Sequence, residues 1–221
     1  MSLLRYTRIL ENITYMNDVR IEKLITVLDG YARRALSDYR YEHSRRVAFF
    51  AEELARRYGY NRRVQRLCFL AGISHDMCKE MPVAFLLRTV RADGQPVSAD
   101  EAANSELLHG RAAAVLLQEN YGIHKKSLLR AVRYHTSGSA RFDAIGKIIY
   151  VADKIEPGRK NCDYLREKVD TLPLDALFLE VMKEVISFVE AKGKKVQAAT
   201  YKAYRYMQSM QARAHHEEGR K

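Results

Sequence analysis

Apolar residues recur along this chain at spacings of three and four, the period that turns one face of an α-helix toward a core. Ile21, Leu24, Ile25 and Leu28 predict a helix over about 20–38, and Val47, Phe50, Ala51 and Leu54 predict a second over about 42–58, stopped by Gly59. A third, over about 61–75, carries the nearly unbroken apolar run LCFLAGISHD, and Pro82 opens a short helix through Leu86 and Leu87. The polar stretch RADGQPVSADEAANS, residues 91–105, holds Gly94 and Pro96 and is expected to be the main long loop. Helices follow over about 105–120, 125–135 and 142–155, the last ended by Pro157 and Gly158, then over about 174–192 and 197–213 before the charged tail HHEEGRK. No alternating β pattern, strong repeat or interdomain linker breaks this sequence of helices. The fold class is therefore all-α, with one core assembled from short helices.

Composition narrows the setting. The chain is 47% hydrophobic and 29% charged over 221 residues, which suits one sizeable domain with or without appendages. No apolar run reaches the roughly 18 residues of a membrane span, and no signal segment opens the chain, so a soluble cytoplasmic protein without a membrane partner is expected. A net charge of +11 favours an anionic partner, whether nucleic acid, a membrane surface or a phosphorylated small molecule. Charge selects the sign of the partner and nothing finer. Cys68, Cys78 and Cys162 are odd in number, widely spaced and without a CxxC arrangement, which speaks against a disulfide framework and a thiolate zinc site. Cys68 reads as core.

The chemistry lies in polar residues on apolar faces. His43 shares its face with Val47, Phe50 and Leu54; His75 follows Ala71 by four residues and Leu67 by eight, with Asp76 beside it. His109 lies with Ala112, Ala113 and Leu116, His135 follows Ala131 and Val132, and Asp153 follows Ile145 and Ile149. A lone inward histidine is more often a hydrogen-bonded core residue than a ligand, and Asp153 alone could cap a turn or pair with Lys154 or a distant arginine. Burying all six is costly unless partners or a metal satisfy them, and a common metal centre does so at once. Imidazole nitrogens with bridging-competent carboxylates suit iron, manganese or zinc better than a calcium cage.

The stretches RYEHSRRVAFFAEELARRYG, AGISHDMCKEMP, LLHGRAAAVLLQENYGI, AVRYHTSGSA and KIIYVADKIEPGRK, spanning about 39–160, resemble HD-domain phosphohydrolases. More closely they resemble the YqeK family of bacterial symmetrical diadenosine tetraphosphate hydrolases, and KGKKVQAATYKAY looks like that family's final helical region. The resemblance implies a single HD-domain helical bundle: an N-terminal helical extension over 1–38, a metal-dependent core over 39–160 and a completing helical region over 161–221. It also implies two divalent metal ions, iron with manganese or zinc as alternatives, and hydrolysis of the dinucleoside polyphosphate to two ADP by metal-activated water. Carried over residue by residue, it gives the first metal His43, His75, Asp76 and Asp153, makes Asp76 the bridge, and gives the second metal His109 and His135. It further casts Lys79, Arg133, Thr136 and Arg159 as residues that bind phosphate or support the metal ligands from behind. Cys78 departs from the small residue the family often carries there.

Simpler roles exist for several of these. Lys79, three residues after Asp76, could reach phosphate at the same opening and assist the leaving group, or merely solvate a helix end. Arg133 and Arg159 offer forked donors suited to phosphate, yet exposed arginines are common in so basic a chain. Thr136 could donate to phosphate or cap the HTSGS turn. Tyr134 and the tyrosines of the last helix could stack on adenine or line a half-buried edge. Cys78 reads as a buried inert thiol, while His124, His215 and His216 read as exposed. Rival readings are another HD nucleotidase, a nucleotide- or RNA-binding regulatory module suggested by the RR, KK and GKK patches, and a dinuclear-iron oxygenase. RNA or ribosome association and a homodimer are each compatible with the sequence, and neither is required.

Overall fold

In a computed structural model, which describes residues 16–218, the apolar run at the middle of the chain becomes the central helix of an all-α bundle. Eleven α-helices follow one another among the described residues, and no strand occurs there. They are α1 Asp18–Ala35, α2 Asp38–Arg57, α3 Arg62–Ser74, α4 Val83–Val90, α5 Ala99–Ala103 and α6 His109–Glu119, then α7 Lys126–Arg133, α8 Ala144–Ile155, α9 Asp163–Glu167, α10 Leu174–Ala191 and α11 Ala198–Glu218. Every residue of α3 from Leu67 to Ser74 is buried, because α1, α2, α7 and α8 all pack against it. A helix enclosed on several sides has no face to leave polar, which explains why its sequence lacks an amphipathic stripe.

Local chemistry sets the ends. Asn17, Ser37, Asn61 and Asp143 accept hydrogen bonds from the first free N–H groups of α1, α2, α3 and α8, the usual way to satisfy orphan donors at a helix start. At Gly72 the α3 backbone lies so near α2 that an added Cβ would stand 2.6 Å from Ala48 Cα. Only a glycine permits that approach, and it brings the helix bearing His43 against the one leading to His75.

The N-terminal helix is integrated into the core: Ile21, Leu24, Ile25, Leu28 and Ala32 of α1 are buried with the rest. Two expectations shift. The segment over 91–105 is not one open loop; it contains a 3-10 turn at Arg91–Asp93 and α5, whose Ser98 and Glu101 form a reciprocal capping box. The expected helix over 105–120 begins as a 3-10 turn, Ser105–Leu108, and becomes α-helical only at His109. Helix α9 was not foreseen, and α11 continues into the segment read as a charged tail. Residues 1–15 of the expected extension and the side chains of His215 and His216 lie outside the described residues. No described helix is long and apolar enough to cross a membrane.

Candidate metal centre

Five elements deliver six buried polar side chains to one point. Helix α2 carries His43 on its inner face; α3 ends at Ser74, so His75 and Asp76 lie on the tight turn that follows rather than on a continued helix. His109 opens α6, His135 sits in the turn after α7, and Asp153 lies near the end of α8. All six are at most 5% exposed. Their candidate ligand atoms fall into overlapping triads, His43–His75–Asp76, His75–His135–Asp153 and Asp76–His109–His135, each within 4.8 Å.

Asp76 stands between two groups. Its Oδ1 is 3.1 Å from His109 Nε2 and 3.4 Å from His135 Nε2, whereas its Oδ2 is 3.6 Å from His75 Nε2 and 3.9 Å from His43 Nε2. Asp153 Oδ1 lies 3.1 Å from His43 Nε2 and 3.7 Å from His75 Nε2. One carboxylate thus faces a histidine pair with each oxygen, and the second carboxylate closes one side.

The donors fit a cation centre. His75 Nδ1 donates to Gly72 O and His135 Nδ1 to Val132 O, each at 2.7 Å, and His109 Nδ1 donates to Glu106 O. Those bonds put the ring proton on Nδ1 and leave a bare Nε2 lone pair on each ring. His109 Nε2 and His135 Nε2 then face each other at 3.0 Å, and His75 Nε2 is buried with no hydrogen-bond partner. Lone pairs converging in a dry pocket repel unless a positive charge sits among them.

Ionisation agrees with that requirement at His75 and His109. Burial pushes the His75 imidazole down to about 3 and lowers His109. Burial would raise Asp76 and Asp153, yet both are held well below the usual carboxylate range, the second by Lys154 with His43. At neutral pH two neutral imidazoles and two anionic carboxylates therefore meet, the protonation states that ligate metals.

Cationic side chains rim the cluster. Arg159 Nη2 donates to Asp153 Oδ1 at 3.1 Å and its Nε to the Asp153 carbonyl, while Lys79 Nζ lies 4.0 Å from Glu106 Oε2, beside the turn that positions His109. Thr136 adjoins His135 and is half-buried. Arg133 pairs with Asp93 Oδ2 at 2.7 Å and, with Tyr134, lines a cavity of about 550 Å³ to which none of the six contributes. Helical phase explains this, since Lys126, Arg130 and Arg133 share the outer face of α7, opposite buried Leu128, Ala131 and Val132. Cys68 and Cys78 are fully buried, and burial pushes the Cys78 thiol up to about 12, leaving it un-nucleophilic; His124 is exposed.

Sequence reasoning missed two partners of the cluster: Arg40 Nη1 donates to Asp76 Oδ2 at 2.8 Å, and Glu156 accepts from His43 Nδ1 at 3.1 Å. Lys154, readable as a pair for Asp153, donates from Nζ to Asp153 Oδ2 at 2.5 Å. Arg40 had a legible signal, because it precedes His43 by three residues and so shares its helical face.

Comparison with known proteins accords with this geometry. The HD domain family model matches residues 40–158. The symmetrical bis(5'-nucleosyl)-tetraphosphatase of Staphylococcus aureus is 33% identical over 180 residues, covering 79% of this chain and 90% of that protein. The enzyme of the same name from Bacillus subtilis is 31% identical over 179 residues, covering 80% and 94%. A crystal structure of an HD superfamily hydrolase from Clostridium acetobutylicum, described as involved in NAD metabolism, superposes with a TM-score of 0.76 at 33% identity, covering 84% of this chain and 97% of the other. The chain belongs to the HD-domain family, among the symmetrical bis(5'-nucleosyl)-tetraphosphatases of the YqeK type.

Proposed function

We propose that the protein hydrolyses diadenosine tetraphosphate to two ADP at a two-metal centre, with iron as the resident metal and manganese or zinc as substitutes. The observation that carries the reading is Asp76, whose two oxygens face separate histidine pairs. His43, His75, Asp76 and Asp153 would hold one ion, and Asp76, His109 and His135 the other. When bound, such ions activate a water molecule and offset the charge that builds on a phosphoryl group under attack.

The chain's own residues would do the rest. Asp76, an anion beside the Arg40 guanidinium, holds the two halves of the site in register. Lys79, beside the turn that positions His109, and Arg159, bonded to Asp153, present N–H donors to nonbridging phosphate oxygens, and Thr136 offers a hydroxyl next to His135. A donor beside each ligand set suits a substrate cut in the middle of its phosphate chain, where position decides which phosphorus reacts.

Product analysis across a panel of diadenosine tetraphosphate, nucleoside mono-, di- and triphosphates tests the reading. Two ADP per tetraphosphate, with the mononucleotides left largely intact, is the expected result; turnover of the mononucleotides with none of the tetraphosphate would overturn it. Lys79→Ala is expected to retain its metals and lose about 10- to 100-fold in turnover, the worth of one charge-assisted hydrogen bond to phosphate. Unchanged turnover in that variant would remove Lys79 from the reaction.

A further inference from the structure

We infer that Glu156 is a positioning residue for the metal centre, its carboxylate fixing the ring of His43 and strengthening His43 as a ligand; this rests on the two-metal reading above. Glu156 lies one residue beyond α8, just before Pro157, where a charged residue would ordinarily be solvated. It is instead 1% exposed. Its Oε1 accepts from His43 Nδ1 at 3.1 Å, and the opposite ring nitrogen, Nε2, points at Asp153 Oδ1 at 3.1 Å.

The carboxylate is itself clamped. Glu156 Oε2 accepts from Arg46 Nε at 2.7 Å and from the Gly158 N–H at 2.5 Å, and Arg46 Nη2 reaches Oε1 at 3.4 Å. A side chain at position 158 would collide with the Arg46 guanidinium, so the glycine leaves room for the clamp. Arg46 lies one helical turn from His43 on α2, and one helix therefore supplies both the ligand and the cation that holds the ligand's partner.

His43 differs from its three companions in what its Nδ1 meets. His75, His109 and His135 donate to backbone carbonyls, whereas His43 donates to a carboxylate. A carbonyl selects the tautomer; an anionic carboxylate also raises the electron density of the ring and hence the donor strength of Nε2. Residues in this role are worth about 10- to 100-fold in metal affinity.

The test titrates manganese(II) into the chelator-stripped full chain and counts bound metal after equilibrium dialysis. Glu156→Ala is expected to weaken uptake by about 10- to 100-fold. Glu156→Gln, close to isosteric and still an acceptor for Nδ1–H, should weaken it less. In a His43→Ala background the added Glu156→Ala loss should vanish, since the two residues act as a unit. Melting of the metal-free proteins records separately any general loss of packing, which a merely structural role would produce without this non-additivity. Wild-type uptake with both Glu156 variants binding equally well, or a loss that persists undiminished without His43, overturns the inference alone. Absence of uptake by the wild type overturns the two-metal reading and the inference with it.

Discussion

Replacing Asp76 with alanine should lower hydrolysis by at least about a thousandfold, equivalent to about 4 kcal/mol of transition-state stabilisation. Four imidazoles surround this one carboxylate, its two oxygens divided between the pairs, so its removal strikes both metal positions together. It also leaves the Arg40 guanidinium, 2.8 Å from Asp76 Oδ2, without its carboxylate and pointed at the cluster. Asp76→Asn keeps the shape and removes the charge; it separates loss of ligation from collapse of the pocket. Both variants should retain helical circular dichroism and show lowered occupancy at both positions by elemental analysis. Wild-type metal content in either would contradict the bridging role.

Gly72→Ala should produce the largest loss of stability from a single methyl group. The new Cβ would stand 2.6 Å from Ala48 Cα and 2.9 Å from Ala48 N, backbone atoms that no change of rotamer can move. Helices α2 and α3 would have to part where their backbones approach each other. Overpacking of this kind costs about 1–3 kcal/mol, which in a chain of this size lowers Tm by about 2–12 °C. Function should fall with it, because His43 rides on α2 and the His75 ring is tied to the Gly72 carbonyl. A Tm at or above wild type, as the helix propensity of alanine alone would give, would show that the interface yields more readily than its spacing indicates.

Much of this was written in the chain, for reasons of periodicity. Long helices with a three-to-four repeat, such as α2 and α10, declare both their extent and their buried face. His43, His109 and Asp153 were readable because each interrupts an apolar stripe at a position that must point inward. Burial that depends on distant residues was not readable. Glu156 resembles a solvated charge before a proline, and only the clamp by Arg46 beside Gly158 makes it interior. Arg133 was cast as a phosphate ligand by the family resemblance and its forked donors; that Asp93, forty residues earlier, pairs with the guanidinium was not readable from spacing. In the 91–105 segment the Ser98–Glu101 spacing is a helix-start signal that glycine and proline nearby masked.

The pairing of two metals with a symmetric cut is tested most directly by following diadenosine tetraphosphate turnover with the chelated chain and with the same chain restored by iron(II) or manganese(II) under anaerobic conditions, metal content and products being measured on each sample. The account predicts two ADP for each tetraphosphate consumed, appearing only as occupancy rises toward two ions per chain. Release of AMP and ATP, or ADP formation undiminished after the metal is stripped, would contradict it.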